Sequence, residues 1–468
     1  MDLDQQLHAA YARHENDPLN FATLRKICDT LIALGREDEL IAWADRALAL
    51  GAQRGDFHAM RAFALDLHGR HAEAVETRLH DPSMFSEPVL ARVRLGYSLM
   101  MAGQLARAIP LLEAARQPGP HNTPGLRATA SYLLGETMLK AGDPRGFALW
   151  LQRNDSGDAG SYRPAGIPEW AGELDLRGQR VLVVHQLGFG DNFLLAACVA
   201  DWQAAGATVM LSCDLQIHAL MEASLSHCEV ISVPRPLQTH GPLPDAVQEH
   251  VDAFAPHFYA TLLHLPLLGV ARAPASAYRF RPYLRVPHAK QGVAAQWAGQ
   301  LRARHPGRRL VGLFWDCHQR HHPGLGATMR CWAARRSLPL DALNRLVTHP
   351  ALQDRIHFVT LHHPLTEAEA GTPAGSVDRY QPGIHLFDDT AACIGELDAV
   401  LAVDSAVANL AVMMGKPTCV PVNTSGDWRW GSRGVASPWI DGATVLRQTQ
   451  EGNWDDVVCD AVAWLAAL

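Results

Sequence analysis

The stretch Arg180-Val-Leu-Val-Val-His185-Gln-Leu-Gly188-Phe-Gly190-Asp191-Asn-Phe-Leu-Leu195 decides the fold. It opens on a continuous, largely β-branched run, as expected of a strand covered on both faces, and a glycine-rich turn leads from there into a helical pattern over Asn192–Trp202. The alternation continues with a strand over 208–212, a helix over 217–224 and a strand over 229–233, which predicts the βαβαβ start of a doubly wound sheet. A second series begins after the Pro-rich, basic stretch around Arg281-Pro282. Its predicted strands are 309–315, 356–361, 397–403 and 418–422, with helices at 340–348, 390–396 and 406–414. Two such units in succession place a cleft outside the carboxyl ends of their strands, where open α/β sheets bind ligands.

Ahead of these units, residues 154–177 are rich in Ser, Gly, Pro and Asp and read as a linker. The first 153 residues repeat. Leu34-Gly35-Arg36, His68-Gly69-Arg70 and Ala102-Gly103-Gln104 recur every 34 residues, and Ala141-Gly142-Asp143 follows 39 later. Each glycine follows an apolar helical stretch, and five residues after it stand Leu40, Ala74, Ala108 and Phe147, where two helices must pack closely. A 34-residue helix-turn-helix period resembles tetratricopeptide repeats, although the Trp and Tyr of the strongest consensus are missing; an irregular helical bundle is the alternative. Either arrangement offers a surface to a partner and no chemistry of its own. The expected organisation is helical repeats over 1–153, the linker, and α/β units over 178–290 and 291–468.

Composition narrows the function classes. With 41 basic and 48 acidic residues the net charge is −7, against a nucleic-acid binder that relies on a general positive field. The N-terminal residues lack the basic start and apolar run of a secretory signal, and no stretch approaches the ~18 uncharged apolar residues a spanning helix needs, so a cytoplasmic location is expected. Nine scattered cysteines without a CxxC pair predict reduced thiols and none of the stronger zinc patterns.

Four segments are candidates for chemistry. Gly188 and Gly190 let the backbone approach a ligand, and the helix start after them offers N–H groups to an anion. Asp191 there has two readings, a helix cap or a carboxylate held at the cleft to take a proton. Val403-Asp404-Ser405-Ala406-Val-Ala-Asn409 again follows a strand and opens a helix, an arrangement suited to phosphate or hydroxyl groups, or simply a capped helix. Cys317-His-Gln-Arg-His-His322 matches no zinc template, and no bound metal is expected. Asp427-Trp428-Arg-Trp430 combines aromatic faces with a guanidinium, for stacking on a base or sugar or for packing a loop.

Taken in order, Ile167-Pro-Glu-Trp-Ala-Gly172, Gly188-Phe-Gly-Asp191, Val311-Gly-Leu-Phe-Trp315, Arg336-Ser-Leu-Pro-Leu340, Val403-Asp-Ser-Ala-Val-Ala408, Gly415-Lys-Pro417, Asp427-Trp-Arg-Trp430, Ser437-Pro-Trp439 and Asn453-Trp-Asp455 resemble bacterial glycosyltransferase domains attached to tetratricopeptide repeats and related to the heptosyltransferases. The resemblance covers about residues 165–465. It implies an α/β GT-B fold of two Rossmann-like domains behind an all-α repeat domain, the first domain on the acceptor side and the second holding a nucleotide-sugar donor. It implies transfer to a protein or glycan acceptor without metal or cofactor, with a protein acceptor recruited by the repeats. Carried over residue by residue, Asp191 is the base, and Gly188, Gly190, Trp315, Arg336, Asp404, Ser405, Ala406, Asn409 and Trp428 are the donor-binding set, Arg336 for the diphosphate. There are two departures. Asn409 stands where the relatives usually carry His, and Gln-Leu-Gly-Phe-Gly stands where Gln-Gly-Leu-Gly is commoner. The first keeps open a non-catalytic scaffold with a degenerate nucleotide-sugar domain; a sugar-nucleotide epimerase fits the fold but not the repeats.

Overall fold

The computed structural model describes residues 2–51, 54–80, 88–120, 122–156, 160–234, 241–272, 278–322, 324–375 and 377–468. Its first part is all helix: Leu3–Asn16, Phe21–Leu34, Glu37–Ala49, Arg54–Leu67, His71–His80, Pro88–Met101, Leu105–Ala115, Pro124–Lys140 and Gly146–Trp150, then a last turn over Arg153–Ser156. The four recurring glycines adopt left-handed φ values of 69°, 86°, 72° and 82°, which a Cβ would oppose. Each turn is closed by the same pair of hydrogen bonds, from the glycine N–H to the carbonyl three residues back and from the next N–H to the carbonyl five back (Gly103 to Met100 at 3.1 Å, Gln104 to Leu99 at 2.8 Å). This closure ends one helix and aims the next back along it. Leu40, Ala74, Ala108 and Phe147 are fully buried where the helices meet.

The rest of the chain forms two sheets, both parallel throughout. The first is ordered β3-β2-β1-β4, with β1 Arg180–Val184, β2 Thr208–Cys213, β3 Cys228–Ser232 and β4 Phe258–Thr261. The second is ordered β10-β9-β8-β5-β6-β7, with β5 Arg309–Phe314, β6 Ile356–Thr360, β7 Val377–Arg379, β8 Ala399–Ala402, β9 Thr418–Val422 and β10 Ala443–Arg447. In each sheet the order reverses beside the first strand, between β1 and β4 and between β5 and β8. The carboxyl ends at such a reversal form the crevice where this architecture binds ligands. Val181–Val184 and Ala399–Ala402 are wholly buried, as strands covered on both faces must be.

Three differences from the sequence reading stand out. The strands β4, β7 and β10 lie outside the predicted set. The helix expected over 192–202 is broken into Phe189–Leu195, a 3-10 turn at Ala196–Cys198, and Val199–Ala204. The expected boundary at 290/291 falls inside the helix His288–Arg304, whose Ala294, Trp297, Ala298 and Leu301 are buried as one face. No helix among the described residues is long and apolar enough to cross a membrane.

The helical array does not stand apart from the sheets. Arg335 Nη1 lies 2.8 Å from His71 Nε2, Lys140 Nζ donates to the Ser425 carbonyl at 2.5 Å, and Trp439 Nε1 donates to the Leu139 carbonyl at 3.0 Å. Phe147 and Trp150 pack edge-on against Trp428, with centroids 5.6 and 5.2 Å away. The end of the array therefore shares a core with the second unit.

Candidate functional site

The carboxyl end of β1 turns through Leu187 at φ +64°, a conformation that suits glycine and strains leucine. Asn192 Nδ2 locks the turn by donating to the carbonyls of Gln186 (3.0 Å) and Gly188 (2.8 Å). Asp191, at the third position of the helix Phe189–Leu195, accepts the Gly188 N–H through Oδ2 at 3.1 Å. The capping reading therefore describes what one of its oxygens does. The other accepts from Arg429, across the boundary between the two units.

From the second unit, the carboxyl end of β8 delivers Asp404 and Ser405. Ser405 caps the helix Ala406–Met413 by accepting the Ala408 N–H at 3.3 Å, and Asn409 Nδ2 donates to the Ser405 carbonyl at 2.8 Å. The two helix starts touch. A Cβ at Gly190 would lie 2.9 Å from Asn409 Nδ2 and 3.4 Å from Ala406 Cα, so glycine is what lets the units close here. Asp404 is buried; its Oδ1 accepts the Trp430 indole N–H at 2.8 Å, and its Oδ2 lies 3.6 Å from Arg336 Nη1.

Arg429, rather than the Trp428 expected in the donor-binding set, reaches the site. It lies above the Trp428 ring, 4.8 Å from the centroid, and bridges Asp191 to Asp427, the latter at 2.5 Å. Burial, then Arg153, pulls the guanidinium down to about 9, while burial and then Asp404 push the Asp427 carboxyl up to about 7. Lys140, from the helical array, is drawn down to about 8 by burial although Asp427 favours its charge. Charges held this far from water resist losing a partner: removing one side of such a pair costs about 3–5 kcal/mol.

The structure brings Gly188, Gly190, Asp191, Arg336, Asp404, Ser405, Ala406 and Asn409 to the meeting carboxyl ends and leaves two predicted donor residues elsewhere. Trp315 is 1% exposed, its indole N–H donating to the Ala370 carbonyl at 3.0 Å, so its ring faces the core behind β5. Trp428 is 2% exposed and enclosed by Phe147, Trp150, Phe280 and Trp439, out of reach of any base or sugar. In the His-rich loop, His318 pairs with Glu369 at 2.7 Å and His321 with Asp316 at 3.0 Å, so these imidazoles diverge.

A polar cavity of about 250 Å³ opens at the carboxyl end of β4, where the helical array, the linker and the first sheet meet. Asn154, Tyr162, Trp170, Tyr259, Thr261 and His264 are among its walls. His264 Nδ1 accepts the Thr261 N–H at 3.1 Å, and burial draws this imidazole down to about 4, leaving it neutral.

No family model matches the chain. It is 27% identical over 309 residues to protein FlbA of Caulobacter vibrioides, an alignment that takes in 64% of this chain and 48% of FlbA. The chain thus spans about half the length of that curated relative. Among solved structures, a family 9 glycosyl transferase from Veillonella parvula superposes with a TM-score of 0.46 at 13% identity, covering 63% of this chain and 98% of that one. ADP-heptose LPS heptosyltransferase II of E. coli gives 0.41 at 12% identity, covering 62% and 98%.

Proposed function

We propose that the chain is a GT-B glycosyltransferase that moves a sugar from a nucleotide-sugar donor to a hydroxyl of a protein or glycan acceptor, without metal at the reacting centre. One observation carries the reading: a carboxylate from the first sheet and guanidinium groups from the second meet where the carboxyl ends of both sheets converge. In this reading Asp191 takes the acceptor proton, the hydroxyl oxygen attacks the anomeric carbon, and the bond from that carbon to the diphosphate breaks. Arg336, Arg429 and the N–H groups at the start of Ala406–Met413 stabilise the departing diphosphate. Arg429 then has two partners in turn. Paired with Asp191 it weakens the base; drawn onto a donor diphosphate it releases the carboxylate, which orders donor before acceptor. The cavity beside β4, lined by hydroxyl and amide groups, suits a hydroxyl-bearing acceptor. The helical array, docked as tetratricopeptide-like repeats, presents a protein acceptor to it.

The second reading, a scaffold with a silent site, draws on the same contact: Asn409 against Gly190, with Asp191 already neutralised, is a closed arrangement. Calorimetric titration with a panel of nucleotide sugars separates the two. The enzyme binds one class saturably, and Asp191→Asn keeps that binding while losing transfer. No saturable binding, or full transfer by Asp191→Asn, refutes the mechanism.

A further inference from the structure

Toward the amino end of the second sheet, side chains from three elements converge. His305 caps the carboxyl end of the helix His288–Arg304, His357 is the second residue of β6, and Asp378 sits in β7. The imidazoles of His305 and His357 stack with centroids 3.6 Å apart and planes 14° from parallel. Both turn Nε2 toward one oxygen, Asp378 Oδ2, at 3.8 and 3.2 Å. All three ligand atoms lie within 4.8 Å of one another, the single group of this kind among the described residues.

A tetrahedral zinc ion with bonds of about 2.0–2.2 Å sets its ligand atoms roughly 3.3–3.5 Å apart. The two distances to Asp378 straddle that separation, and because stacked rings hold their Nε2 lone pairs in parallel planes, the more exposed His305 turns out of the stack to share an ion with His357. Two imidazoles and one carboxylate suit Zn²⁺, Co²⁺ or Ni²⁺ rather than the all-oxygen shells of Mg²⁺ or Ca²⁺. The side chains of His305 and Asp378 are 23% and 26% exposed, which leaves water access to a fourth position. Arg304 Nη2 reaches the same Asp378 oxygen at 3.3 Å, but its side chain is 55% exposed and held from one end only, so it acts as a placeholder a dication displaces. The elements joined need joining: β7 is three residues long, lies at the sheet edge and, among the described residues, pairs only with β6.

We propose that His305, His357 and Asp378 form a structural binding site for a divalent transition-metal ion of the zinc class, fastening the edge strand β7 and the end of the helix His288–Arg304 to β6. The site is separate from the converging carboxyl ends and does not depend on the reading of transfer chemistry given above.

The test uses the full chain, stripped with chelator, desalted and titrated with ZnCl₂, with Co²⁺ as a spectroscopic probe. Expected are one equivalent of Zn²⁺ bound, a Co²⁺ visible band of tetrahedral type, and a rise in unfolding midpoint that chelator reverses. His305→Ala, at a partly exposed position just past a helix end, weakens Zn²⁺ at least tenfold and abolishes the band, whereas Arg304→Ala tightens binding about threefold or more by removing the competing cation. Absence of stoichiometric binding overturns the proposal. So does binding that His305→Ala leaves unchanged, including binding lost instead on substituting His318 and His321 in the His-rich loop.

Discussion

Gly190→Ala probes the closure of the two units directly. The added Cβ would stand 2.9 Å from Asn409 Nδ2, about half an ångström inside the 3.4 Å at which ordinary contact begins. Asn409 cannot swing aside cheaply, because it is 3% exposed and its amide is tied to the Ser405 carbonyl at 2.8 Å. Overpacking of this kind costs about 1–3 kcal/mol, whereas replacing glycine by alanine within a helix returns up to about 1 kcal/mol, less in its first turn. The net is a loss of about 1–2 kcal/mol, or a fall of roughly 2–6 °C in the calorimetric midpoint of the sheet-bearing part. Asn409→Ala vacates the space, so in the double variant most of that loss returns, with a coupling of about 1 kcal/mol between the two sites. A Gly190→Ala variant as stable as the parent, or two substitutions whose effects simply add, refutes the contact and with it the approach of the two helix starts.

Three further outcomes are expected. Asp191→Asn lowers transfer about 10²–10⁴-fold in a donor-consumption assay while donor affinity stays within a few-fold, since the amide still accepts the Gly188 N–H. Arg429→Gln weakens donor binding tenfold or more by calorimetry and destabilises the chain by about 3–5 kcal/mol, because Asp191 and Asp427 lose their shared cation. His362, whose Nε2 accepts the Trp315 N–H at 3.3 Å, is drawn down to about 3 by burial. The unfolded chain binds a proton there that the folded chain refuses, so its contribution is intact above about pH 6.5 and is lost as pH falls, at up to about 1.4 kcal/mol per pH unit. His362→Asn removes that part of the acid sensitivity, read as a shallower loss of unfolding free energy between pH 6.5 and 4.

Legibility in the sequence followed physical context. Strands β1, β2, β5, β6, β8 and β9 were readable because helices cover both their faces and leave near-continuous apolar runs, and the edge strand β3 was readable from its β-branched Val230 and Ile231. The edge strands β7, Val377-Asp-Arg379, and β10, Ala443-Thr-Val-Leu-Arg447, carry at most two consecutive apolar residues and so no such run. The repeat turns were legible because only glycine takes their left-handed φ cheaply, and all four positions use it. At the site, the backbone features came through and the side-chain directions did not. Asp191 and Asp404 stand where strand-to-helix transitions must put them. Whether the Asp427–Trp430 segment offers Trp428 or Arg429 to the cleft depends on Phe147 and Trp150, far upstream, which take the indole and leave the guanidinium facing Asp191, 238 residues away in sequence. At Leu187 nothing in the sequence announced the left-handed φ that its side chain opposes.

A crystal soaked with the nucleotide sugar selected by calorimetry shows whether that ligand lies across the converging carboxyl ends of the two sheets. Expected is density for the diphosphate between Arg336, Arg429 and the start of the helix Ala406–Met413, with Arg429 moved off Asp191. Diphosphate density elsewhere, or an occupied site with the Asp191–Arg429 pair intact, contradicts that placement.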